Sequence, residues 1–201
     1  SIEPQNKVDF SYYYVKGGKW GVVDTLLNQT VQARYDFIHD YHCGGFIAER
    51  KGKWGKVNPY DKIQIQFIYD EIQTFAKLYP QGIDPEELQL IRDFPYYKAK
   101  KDRAWGVIDT AGNVIVPFEF SKIELAVDSS YTGFITIQRN KKNLYGFIDE
   151  KGKQMCLPRF VKTEAFKNGF ARVQIKHKEW LFIDEEMNIL PGGPYKDAQD
   201  F

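Results

Sequence analysis

The chain has 201 residues, is 43% hydrophobic and 27% charged, and carries a formal net charge of +1. That composition fits a folded globular protein and excludes a disordered polyampholyte, and no run of 18 apolar residues is present to cross a membrane as a helix. Two cysteines, Cys43 and Cys156, are too few for the disulfide framework of a small secreted scaffold, so both are expected to be reduced, structural thiols. The N-terminal Ser1-Ile2-Glu3-Pro4 lacks the basic start and apolar core of a signal peptide, which favours a cytoplasmic location.

Read in chain order, the elements repeat. An aromatic residue sits between similar flanks in Lys19-Trp20-Gly21-Val22-Val23-Asp24, Lys53-Trp54-Gly55-Lys56-Val57-Asn58, Ala104-Trp105-Gly106-Val107-Ile108-Asp109, Leu144-Tyr145-Gly146-Phe147-Ile148-Asp149 and Glu179-Trp180-Leu181-Phe182-Ile183-Asp184. The spacings are 34, 51, 40 and 35 residues, giving a unit of about 35 residues with one insertion in the second copy. Periods of this size mark stacked or radial repeat architectures.

The fourth copy shows the unit best. Gly133 to Ile137 alternates as a strand, Arg139 to Asn143 turns, and Leu144 to Ile148 forms a second strand. Asp149-Glu150-Lys151-Gly152-Lys153 turns again, because aspartate bonds its own backbone and glycine accepts positive φ; a third extended stretch runs through Met155, Leu157 and Pro158. Pro117, Pro158 and Pro191 recur near that stretch, where an edge position spares the missing amide. A connecting segment such as Tyr35-Asp36-Phe37-Ile38 or Tyr69-Asp70-Glu71-Ile72 then follows, whose aromatics are expected to pack one unit on the next. The tryptophan reads as buried core, with the glycine beside it allowing close backbone approach or a bulge.

The expected fold is therefore all-β: five tandem three-stranded antiparallel meanders, at about 10–45, 46–96, 97–133, 134–169 and 170–201. They form an open twisted solenoid, with a closed propeller-like ring as the alternative. The insertion, 76–96, carries the one helix signal. Asp84 followed by Pro85, Glu86 and Glu87 supplies a cap, a first-turn proline and acids, and predicts a short helix at about 85–92.

The pattern Gly-Lys-Trp-Gly, two apolar residues and Asp, then Gly-Lys or Gly-Asn, a Pro-ended apolar stretch and a Tyr-Asp-x-Ile segment resembles the WG-containing repeat family, from about Phe10 to Phe201. Tyr145 stands for Trp, Leu181 for Gly and Asn58 for Asp. The resemblance implies a bacterial, non-enzymatic interaction module and carries over no catalytic residue.

Functional candidates come from charge. The first turns of the five units, at 16–19, 49–53, 98–103, 138–142 and 176–179, hold 14 of the 28 Lys and Arg residues but only Glu49, Asp102 and Glu179 as acids. Net charge there is +11 and the rest of the chain carries −10, so one basic edge is expected on an otherwise acidic surface. Such an edge steers an acidic protein partner, through Lys51, Lys53, Lys100, Lys101, Arg103, Lys141 and Lys142, unless it serves only solubility and edge protection. Interface anchors are expected in or beside the insertion at Leu78, Tyr79, Arg92, Phe94 and Tyr96. A toxin-neutralising or effector-associated protein is one concrete form. The alternative is a carbohydrate or cell-envelope binder using exposed aromatics.

Catalysis and cofactors are not expected. His39, Asp40, His42 and Cys43 are close in sequence, yet they occupy the connecting segment every unit possesses, and no second ligand cluster accompanies them. Asp24, Asp109, Asp149 and Asp184 recur four residues after the aromatic position, which suits turns rather than an asymmetric active site. No nucleotide-binding, hydrolase or metalloprotease motif occurs, nucleic acid is not favoured, and oligomeric state is left open.

Overall fold

A computed structural model of the chain describes residues 12–75, 94–127, 132–138, 143–164 and 166–196. Their secondary structure is almost wholly antiparallel β, and among the described residues there is no α-helix and no sheet that closes into a barrel. The expected helix at 85–92 lies outside the described residues. The chain divides into two units: residues to Ile72 with Thr110–Gly112, and Gln73–Asp109 with Asn113 onward.

In the first unit, β1 (Tyr12–Lys16), β2 (Lys19–Val23) and β3 (Gln29–Tyr35) form one meander. β4 (Phe37–His42), β5 (Gly45–Arg50), β6 (Lys53–Val57) and β7 (Ile63–Tyr69) form a four-stranded sheet. A seven-stranded sheet contains β8 (Glu71–Thr74), within which the unit boundary falls, β9 (Tyr96–Lys101), β10 (Ala104–Asp109), β11 (Val114–Val127), β12 (Thr132–Gln138), β13 (Tyr145–Asp149) and β14 (Gln154–Phe160). In the second unit β15 (Lys162–Thr163), β16 (Phe170–Lys176) and β17 (Glu179–Asp184) make a further small sheet.

The aromatic-glycine pairs lie on β2, β6, β10 and β13, each central between two antiparallel neighbours. On one side the aromatic residue faces another aromatic of the third strand: Trp20 with Tyr35, Trp54 with Tyr69, Trp105 with Phe120, Tyr145 with Phe160. Two residues further on, Val22 faces Val31 and Phe147 faces Cys156, so two steps of the central strand oppose four of its neighbour. This bulge folds the third strand over the glycine. A Cβ built on Gly21, Gly55, Gly106 or Gly146 would meet a third-strand carbonyl oxygen at 2.6–2.7 Å, inside any real carbon–oxygen contact. Pro117 and Pro158 lie in these bulged stretches, where no ladder amide is required.

The connecting segments are strands in their own right, a correction to the three-stranded unit. β4 pairs with β5, β8 with β9, β15 with β16, and the second half of the uninterrupted β11 pairs with β12. Ile38, Ile72 and Ile123 are buried here, and a segment this apolar meets its backbone hydrogen-bonding needs most readily by pairing with the next hairpin. Each long, bent stretch thus ends one meander and opens the next.

The tryptophans also differ from expectation. Trp20, Trp54, Trp105 and Trp180 are all half-buried, while the interior is filled by Val22, Val31, Tyr35, Phe46 and Val57 in the first unit. In the second unit Phe75, Phe94, Val107, Phe120 and Phe134 form one cluster and Phe147, Phe160, Phe166, Val173 and Ile183 another.

Candidate functional site: the two ends of the hairpins

Each hairpin has two chemically different ends. At the first turn of three of them the chain reverses over two residues at positive φ: Gly17-Gly18, Lys51-Gly52 and Asp102-Arg103. That pairing is the tight turn whose twist matches the flanking strands, and it holds the basic residues on a rigid loop. At the opposite end the residue four beyond the aromatic position caps a longer turn. Asp24 Oδ1 accepts from the amides of Leu26 and Asn28 at 2.9 and 2.8 Å, Asn58 Oδ1 from Tyr60 and Lys62 at 3.0 and 2.9 Å, and Asp149 Oδ1 from Lys151 and Lys153 at 2.9 and 2.8 Å. Asp109 and Asp184 each accept from the amide four residues on at 2.8 Å. The bonds from the Asn28 side chain and amide hold the Asp24 carboxyl below its usual range, and Asn188 does the same for Asp184. These carboxylates serve turn geometry.

The basic residues divide by what they touch. Lys51 is exposed at the turn tip, its amide donating to the Asp36 carboxylate. Lys53 pairs with Asp70 at 2.5 Å, as Lys19 does with Asp36, so neither is an isolated cation. Lys100 lies with its ammonium 5.5 Å from the Trp105 ring centre, and Lys98, almost fully buried, sits at 4.5 Å. Contacts of this kind contribute about 0.5–1 kcal/mol at exposed sites. Lys162 and Arg172 cover Trp180 in the same way, at 5.4 and 5.5 Å. Lys101 is half-buried and Arg103 exposed. Lys141, Lys142, Leu78, Tyr79 and Arg92 lie outside the described residues.

Phe94 is withdrawn as an anchor. It is 8% exposed and packs edge-on against Phe75 and Phe134, with ring centres at 5.7 and 6.1 Å, because an aromatic entering β9 fills the interior between hairpins. Tyr96 beside it is half-buried, and burial is the main influence raising its phenol's pKa.

The first unit carries an aromatic row that charge counting did not find. Trp20 meets Phe37 at 4.6 Å, Phe37 meets His39 at 4.6 Å, and His39 stacks on Trp54 at 3.9 Å. Tyr13 and Tyr41 flank Phe46 at 6.2 and 5.0 Å, and Tyr13, Phe37 and Tyr41 are exposed. The signal was available as Phe37-x-His39-x-Tyr41, a strand with rings on alternate residues.

Two polar groups sit inside that unit. Tyr35, fully buried, donates to Asp61 Oδ1 at 2.6 Å while Arg34 pairs with Asp61 at 2.9 Å; burial and then the carboxylate push the Tyr35 phenol up to about 12. Lys56, also fully buried, takes the position held elsewhere by Val22, Val107 and Phe147 and donates to the Cys43 carbonyl at 2.7 Å; burial lowers its pKa. Both cysteines are free thiols: Cys156 is buried, but Cys43, expected as a structural thiol, is exposed at the β4–β5 turn with φ +45°, its sulfur 3.7 Å from His42 Nε2. Among the described residues no three His, Cys, Asp or Glu side chains are grouped to hold a metal ion, and no helix is long and apolar enough to cross a membrane.

No curated protein matches the chain significantly. The family model described as "WG containing repeat" matches residues 20–54, 105–142 and 145–180, more than half of the sequence. Each matched segment starts on an aromatic residue whose following glycine lies beneath a third-strand carbonyl. On this match the chain belongs to the WG-containing repeat family.

Proposed function

We propose that the chain is a non-catalytic protein-binding module, built of five WG units in an open twisted solenoid, that docks an acidic partner protein through its basic first turns. The observation that carries this reading is the contrast between the two hairpin ends. Lys51 and Arg103 project from rigid two-residue turns, whereas the carboxylates of the opposite turns are occupied by backbone amides. Cationic residues held on tight turns attract an anionic surface at little ordering cost, and their signature is a steep dependence on salt. On sequence alone, Lys141, Lys142, Leu78, Tyr79 and Arg92 join the residues that meet the partner. Neutralising a toxin or accompanying an effector in a bacterial cell is the concrete form.

The test is affinity capture at low salt and at about 0.5 M, where the screening length falls to a few ångström. The wild type is compared with a Lys51→Glu, Lys101→Glu, Arg103→Glu variant. One acidic protein recovered only at low salt and lost with charge reversal is the expected result; capture indifferent to both would reject the reading.

A second reading rests on the exposed rings of Tyr13, Phe37 and Tyr41, which favour a glycan stacked on the aromatic row. Glycan binding would survive charge reversal and fail in a Phe37→Ser, Tyr41→Ser variant.

A further inference from the structure

Two tryptophans of the second unit are paired with cations of their own chain. Lys100 of β9, directly across from Trp105, lies 5.5 Å from its ring centre, and Lys98, two residues back, at 4.5 Å. Over Trp180 the cations are Lys162 of β15 and Arg172 of β16, at 5.4 and 5.5 Å. Arg172 also donates to the Glu164 carboxylate, from Nε at 3.0 Å and from a terminal nitrogen. Around Trp180 the chain thus holds a guanidinium between an indole and a carboxylate.

The hairpin of β5 and β6 uses the same register with different residues. Counted from the residue facing the tryptophan, Glu49 stands where Lys100 does, Ile47 where Lys98 and Arg172 do, and Phe37 where Lys162 does. All three cationic positions are lost, and one has become acidic.

What remains is a carboxylate between two rings. Phe37 on β4 and Trp54 on β6 both lie directly across from Glu49 on β5, which puts the three side chains on one face with neighbouring Cβ atoms about 5 Å apart. Phe37 is 39% exposed and has Trp20 beside it at 4.6 Å, while His39 stacks on Trp54. Glu49 is half-buried, and among the described residues its carboxylate takes part in no hydrogen bond or ion pair. The cations next to it in sequence are engaged elsewhere: Arg50 lies over the Phe67 ring at 4.7 Å, and Lys53 pairs with Asp70 at 2.5 Å.

We propose that Phe37, Glu49 and Trp54 form a binding site for the guanidinium of an arginine on a partner protein. The ligand repeats what Arg172 does within the chain: its plane stacks on the exposed Phe37 ring and its N–H groups donate to the Glu49 carboxylate, with Trp54 on the far side. A flat, weakly hydrated cation can lie against a ring and keep its in-plane donors for a carboxylate, which a compact ammonium cannot do. The site is separate from the docking of an acidic partner on Lys51 and Arg103, and it differs from sugar stacking on the same rings in needing the Glu49 charge.

The test is a titration of the isotope-labelled full chain with a capped Gly-Arg-Gly peptide and with its citrulline counterpart, which keeps the planar shape and loses the charge. The arginine peptide is expected to shift the amides of Phe37 and Glu49 and the indole N–H of Trp54, with a dissociation constant of about 1 mM. The indole signals of Trp105 and Trp180, already under cations, stay in place. Citrulline, and separately Glu49→Gln, should each weaken binding about tenfold, the factor carried by one charge-assisted hydrogen bond. The citrulline comparison uses the wild type and so holds whether or not the variant folds. Citrulline binding as tight as arginine, a folded Glu49→Gln variant that binds as well as wild type, or no shift at these residues up to about 10 mM peptide would overturn the proposal.

Discussion

Gly146 and Leu181 hold the same place in successive hairpins, one position after the aromatic residue, and they obey opposite rules. Over Gly146 the third strand passes with its Cys156 carbonyl 2.7 Å from where a Cβ would lie. Beside Leu181 the third strand is reduced to isolated bridges at Tyr195 and Ile189, and the leucine side chain is buried with Val173 and Ile183. The glycine of the repeat is therefore a consequence of the crossing strand rather than of the hairpin itself. Where the third strand pairs only through isolated bridges, a large apolar residue takes the glycine's place.

The largest effects come from breaking that comparison directly. Gly146→Ala should lower unfolding free energy by about 3 kcal/mol, the upper end for forcing a methyl group into packed surroundings. Leu181→Ala should cost about 2 kcal/mol for the opposite reason, an emptied site. Denaturant unfolding measures both, and an alanine at 146 that is as stable as wild type would remove the steric account.

The same-position comparison can be sharpened at Tyr35, whose counterpart is Phe160. Only Tyr35 has a carboxylate, Asp61, waiting for its hydroxyl. Tyr35→Phe should cost about 1–2 kcal/mol, since Asp61 loses a buried donor. The phenol ionises near 10 in the unfolded chain and at about 12 when folded, so the neutral form is favoured by folding. Its contribution is complete below pH 10 and lost as pH rises from there to about 12; phenolate absorbance followed alongside unfolding would show this, and Tyr35→Phe should flatten that part of the profile.

Lys56 against Val107 and Phe147 is a smaller case. Burial depresses the Lys56 pKa, so its charged form is penalised in the folded chain; Lys56→Met should gain on the order of 1 kcal/mol at neutral pH. Because the folded value lies below the unfolded one, the penalty is full below the folded pKa and fades as pH climbs towards the unfolded value. The advantage of methionine should shrink over that interval in urea unfolding at stepped pH.

The smallest effect is expected at Leu27, which holds φ +64° where Gly152 holds φ +86°. Leu27→Gly should stabilise by at most about 1 kcal/mol, relief of the left-handed cost offset by added freedom in the unfolded chain. Thermal unfolding of the dilute protein decides it.

Much of the fold was legible because period-two alternation and turn chemistry are local. Leu144 to Ile148 and the Asp149 turn could be placed from the residues alone. The connecting strands were not, because Phe37 to His42 becomes a strand only by pairing with β5, a partner that lies beyond a turn and is chosen by burial of Ile38. The half-buried tryptophans were missed for a related reason: the bulge beside Trp54 is set by the register of β7. Of the candidate site, the basic turns were legible as composition. The commitment of Lys53 to Asp70 and of Lys100 to Trp105 depends on cross-strand neighbours that no linear count reveals.

The central claim, that the basic first turns are the docking edge, is tested most directly by titrating isotope-labelled protein with a poly-glutamate peptide and following backbone amide shifts. The account predicts salt-sensitive shifts at Lys51, Gly52, Asp102, Arg103 and Lys178, with the capped turns at Asp24, Asp149 and Asp184 unmoved. Shifts confined to Tyr13, Phe37 and Tyr41, or none at all, would contradict it.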